Sequence, residues 1–133
     1  MRKLNWLAAA VPAAVLFVSA VPAVPDARPQ GKEGTIEGEI VDTACYLKSE
    51  LKGDQHRKCA VACSKDGIPT GIVDASGKMY TILASSPGLA EHQALQARVS
   101  GMVYEASRAV DPKKLEIKKD GKWTEVPLPE SMM

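Results

Sequence analysis

Apolar and polar positions alternate through most of the chain beyond residue 35. Leu95, Ala97, Val99, Gly101 and Val103 are interleaved with Gln96, Arg98, Ser100, Met102 and Tyr104, the period of a strand with one buried face. Thr35 to Val41 sets Ile36, Gly38 and Ile40 against Glu37 and Glu39 and predicts a first strand of the same kind. Ile68 to Val73 and Met79 to Leu83 flank the polar loop Asp74-Ala75-Ser76-Gly77, which predicts a hairpin. A second hairpin is signed by Asp120-Gly121, a pair suited to a two-residue turn with positive φ, and it would set Leu115 opposite Val126 and Ile117 opposite Thr124.

Two stretches break this period and read as helices. Asp54 can serve as the N-cap of a helix over Gln55 to Lys65 that stops before Asp66-Gly67, where glycine takes the left-handed conformation of a C-cap. Ser86-Pro87-Gly88-Leu89 opens a shorter helix through about Gln93, with proline in its first turn. The expected architecture is mainly β: a small OB-like barrel or curled sheet of five or six strands, with one helix after strand 1 and a short helix before strand 4.

The first part of the chain differs. Arg2 and Lys3 precede an uncharged run from Leu4 to Pro25, and the first acidic residue is Asp26. A basic start, an apolar stretch and small residues at the end describe a secretory signal, residues 1–23, with cleavage after Ala20 or Ala23. An uncleaved anchor of about 20 apolar residues is the competing reading, weakened by Pro12, Pro22 and Pro25. Residues 24–34, rich in Pro, Gly and charge, read as a flexible linker, which leaves 35–133 as one OB-like domain. The expected location is therefore periplasmic or extracellular, with no membrane contact beyond the signal segment.

Charge narrows the partners. The 17 basic and 16 acidic residues give +1, and loss of Arg2 and Lys3 with the leader turns this to −1. Such a balance offers no footprint for nucleic acid, and with 5% aromatic residues there is no stacking platform for single strands.

Chemistry gathers on the first predicted helix. At 100° per residue, with His56 at zero, Cys59 falls at about −60° and Cys63 at about −20°, so the three share a face, which is expected to look inward, toward the sheet. Cys45 follows the first strand closely enough for the connecting segment to fold it back over that face. Cys45, His56, Cys59 and Cys63 form a Cys3His set, a combination used for tetrahedral structural zinc; thiolates also suit copper(I) or an iron–sulfur cluster. Zinc is the first expectation, because a closed four-ligand set leaves no open position for a substrate. Asp42 could orient a ligand, though an aspartate at a strand end more commonly caps or turns the chain. Met79 and Met102 could add to a copper site, but methionine in a strand is usually core filler.

Other readings of the same residues stay open. An exported chain meets oxidising conditions, so Cys45 could bridge to Cys59 or Cys63 and leave one free thiol in a disulfide-stapled domain. Thiol–disulfide redox chemistry is a third reading, disfavoured because the usual C-x-x-C at a helix N-terminus is missing and Cys59 is expected well inside its helix. No paired-carboxylate, Ser/His/Asp or phosphate-cradling motif stands out, so the chain reads as a binding domain rather than an enzyme.

The run Gly38-Glu-Ile-Val-Asp42-Thr-Ala-Cys45-Tyr, followed by His56-x-x-Cys59-Ala-x-x-Cys63, Gly67-Ile-Pro-x-Gly71, Gly77-Lys-x-Tyr80 and Val99-Ser-Gly101-x-Val103, resembles a group of small, exported, bacterial OB-fold-like domains over about residues 35 to 118. The cysteine and histidine pattern is its specific part. The resemblance implies a barrel, export and a role for the cysteine-histidine set, and it carries no activity with it.

Overall fold

A computed structural model describes residues 30–129. The expected leader, and the expected linker up to residue 29, lie outside the described residues. Strand β1 (Lys32–Asp42) is followed by helices α1 (Thr43–Ser49) and α2 (Arg57–Lys65), the hairpin β2 (Thr70–Asp74) and β3 (Met79–Ile82), helix α3 (Ser86–Leu89), a 3-10 turn (Ala90–His92), and strands β4 (Gln96–Tyr104), β5 (Ala109–Lys119) and β6 (Lys122–Val126).

The strands run in the order β3-β2-β1-β4-β5-β6, and a parallel pairing of β3 with β5 closes the first five into a barrel. The fold is the OB-like barrel expected, with β6 as an extra strand outside the closure. Strand β1 serves both halves. Its start pairs with β4 from Lys32 opposite Val103 to Glu39 opposite Gln96, and its end pairs with β2 from Gly38 opposite Asp74 to Asp42 opposite Thr70. The strand thus begins at Lys32, earlier than the Thr35 that alternation suggests, because Lys32 to Gly34 hydrogen-bond to β4 without burying a side chain.

Closing so small a barrel brings backbones together where strands bend. At Gly38 a side chain would collide with the Val73 carbonyl, and at Gly101 with that of Asp111, where the β4–β5 register shifts between Ser100 and Gly101. Glycine is required there by close approach rather than by turn geometry. The interior is filled by Ile36, Ile40, Ile72, Tyr80, Ile82, Leu89, Ala97, Val99, Val110, Leu115 and Ile117, the inward residues of the strands with Leu89 of α3.

Both hairpins match expectation. Leu115 faces Val126 and Ile117 faces Thr124, and the turn between them has positive φ at Asp120 and Gly121. Trp123 of β6 lies half-buried on the outer sheet surface, with the Arg98 guanidinium 4.3 Å from the ring centre. His92 is half-buried in the 3-10 turn, and this burial lowers its pKa.

Two helical expectations need correction. Residues 43–49 form α1, which alternation and capping signals had not indicated: Asp42 caps it by accepting from the Cys45 amide at 2.8 Å, and Glu50 ends it in the left-handed region. Helix α2 starts at Arg57, not after an Asp54 cap. Gly53 to His56 make a turn instead, with the His56 amide bonded to the Gly53 carbonyl and that of Arg57 to Asp54. Its other end is as expected: Gly67, at φ 90°, donates to the Ser64 carbonyl, and Ile68 donates to that of Cys63, the paired bonds of a Schellman closure.

Candidate metal centre

The site stands where β1 leaves the barrel. Asp42 is the last residue of β1, completely buried, and one carboxylate does two tasks. Oδ1 accepts from the Cys45 amide, fixing the first turn of α1, while Oδ2 is 3.0 Å from Nε2 of His56, immediately before α2. The same residue therefore orients the two helices that bear the cysteines. The other end of α2 is held by a buried cluster in which the Gln93 amide donates to Ser64 and Thr70, and the hydroxyls of Ser64 and Thr70 are 3.2 Å apart. Ser64 adjoins Cys63, so this cluster sets the height of the Cys63 sulfur above the barrel.

With both helices fixed, Cys45 of α1 and Cys59 and Cys63 of α2 bring their sulfurs within 4.8 Å of one another. Ligand atoms of Asp42, Cys45 and His56 form a second group within the same distance, so Cys45 belongs to both. The four predicted ligands do not make a single cluster: His56 joins the second group and not the sulfur trio. Met79 packs at Gly71 and Met102 at Gly31, both half-buried and outside the barrel core.

Helical phase explains why the sulfurs gather at the surface. The residues of α2 that are buried against the barrel are Ala60 and Ser64, small enough for close packing, whereas Cys59 is exposed and Cys63 half-buried. The expectation that the thiols point inward fails because the helix begins later and its small residues take the inward face. Cys59 accordingly sits in the first turn of α2, not well inside it.

The surroundings of Cys45 and Cys63 favour the protonated thiol. Loss of water around Cys45, with the Asp42 carboxylate accepting from it and repelling a thiolate, pushes its pKa up to about 12. Cys63 is also raised, chiefly by burial and then by the charge of Asp42. Catalytic thiols need the reverse shift. Thiols held neutral at Cys45 and Cys63 suit a ligand that displaces protons as it binds, as thiophilic metal ions do.

Asp42 is the residue that sequence reasoning undervalued. Its capping and its pairing with a histidine were treated as alternatives, yet its two oxygens perform both. The available signal was Asp42 three residues before Cys45, the distance from an N-cap to the amide it satisfies. No protein-family model, curated protein or solved structure matches the chain.

Proposed function

We propose that the chain is an exported OB-like domain that binds a metal ion or metallocofactor through the thiolates of Cys45, Cys59 and Cys63, either to stiffen the domain or to handle metal in the bacterial envelope. The observation that carries this reading is the gathering of three sulfurs within 4.8 Å from two separate helices. Export rests on the basic and apolar leader and on the resemblance to small exported bacterial barrels. Zinc is compatible with this centre if His56 supplies the fourth donor while Asp42 orients its ring, as carboxylates do for zinc-bound imidazole. Copper(I) and iron–sulfur clusters share the preference for thiolate.

The test is metal content and thiol count of the purified chain. Bound metal, with three thiols titrating once it is removed, is the expected result, and Cys45→Ser should lower occupancy. A metal-free protein with one disulfide and one titratable thiol refutes the reading and supports a stapled domain.

A further inference from the structure

Resting on that metal-binding reading, we propose that Cys45, Cys59 and Cys63 form a three-coordinate, sulfur-only site for a soft monovalent cation, the cuprous ion, with Asp42 and His56 outside its coordination shell. The number of donors decides between ions. Structural zinc takes four, and the usual iron–sulfur clusters take four cysteines, while hard divalent cations require six or more oxygens. Here three sulfurs lie together, and His56 is not part of their group.

Both carboxylate oxygens of Asp42 and the Nε2 of His56 are already engaged. Asp42 Oδ1 holds the Cys45 amide at 2.8 Å, and Oδ2 holds His56 Nε2 at 3.0 Å, in a carboxylate with no exposed surface. Recruiting either oxygen would undo the cap of α1 or release His56. An ion satisfied by three soft donors leaves this framework untouched, and thiolates alone select copper(I) among the first-row ions that do not demand a fourth ligand. Access is equally asymmetric: Cys45 and Cys63 are half-buried and Cys59 is exposed, so the ion enters and leaves on the Cys59 side.

The experiment titrates the fully reduced chain anaerobically with copper(I) against a chromogenic chelator, and with zinc in parallel, then records the X-ray absorption spectrum of each loaded form. The expected result is one copper(I) per chain with sulfur scatterers only, unchanged in stoichiometry and shell in His56→Gln, while Cys63→Ser loses more than about tenfold in affinity. An imidazole in the shell of the tighter-bound ion, lost in His56→Gln, overturns the three-coordinate assignment and leaves metal binding standing. A reduced protein with three free thiols that takes up neither ion overturns both.

Discussion

Asp42 supports the site through its shape as well as its charge, and the two can be separated by substitution. Asparagine caps a helix about as well as aspartate, so Asp42→Asn should keep α1 while removing the negative charge that opposes thiolate at Cys45 and Cys63. Alkylation of these thiols should then set in at lower pH, followed with each cysteine isolated by serine replacements. Asp42→Ala also removes the cap and the His56 partner, and should cost about 1–3 kcal/mol in urea unfolding. The same shifts make stability depend on pH. In the unfolded chain Cys45 ionises near its ordinary value of 9, but the folded protein holds the proton to about 12. Stability from this group is intact below pH 9 and is lost as pH rises from 9 toward 12. Denaturation of the reduced, metal-free protein should therefore ease across that window, whereas metal affinity should increase with pH as protons compete less.

Among the elements, α2 shows both what a sequence makes legible and what it conceals. Its end was readable because Gly67 has a local task, a positive φ that other residues adopt at a cost. Gly67→Ala has open space around the added methyl group, so the loss of about 1–2 kcal/mol expected in thermal unfolding is purely a backbone effect. Its start was not readable, since Asp54 is a good cap by type but belongs to a turn held by backbone bonds. Helix α1 escaped notice for a different reason: at 7 residues it is too short to repeat an apolar period. A helix of that length does not persist alone and owes its existence to Asp42 and the barrel beneath. The candidate site was accordingly legible as a list of sulfur residues. Its division into a sulfur trio and an Asp42–His56 pair depends on where the helices begin, which chain-distant contacts determine.

At the scale of the whole molecule, the barrel follows from features that alternation reports well: inward residues on β1, β4 and β5, and the turn at Asp120-Gly121. The parallel contact of β3 with β5 that closes it leaves no local trace, because it joins segments whose own patterns are complete without it. Closure does leave a mark at Gly38, where the nearest obstacle is backbone and cannot rotate aside. Gly38→Ala should cost about 3 kcal/mol or more and lower the melting temperature measured by circular dichroism. The chain between α1 and α2 has no comparable enclosure; Leu51 and Lys52 are exposed there. Because Cys45 lies before this stretch and Cys59 and Cys63 after it, an ion bound by all three is a clasp across the connecting loop. Trypsin should cut after Lys52 readily in the metal-free protein and slowly in the loaded one, while the barrel strands resist in both. On the proposed reading the loaded protein would outlast the empty one in the cell, and its lifetime would record the supply of the ion it binds.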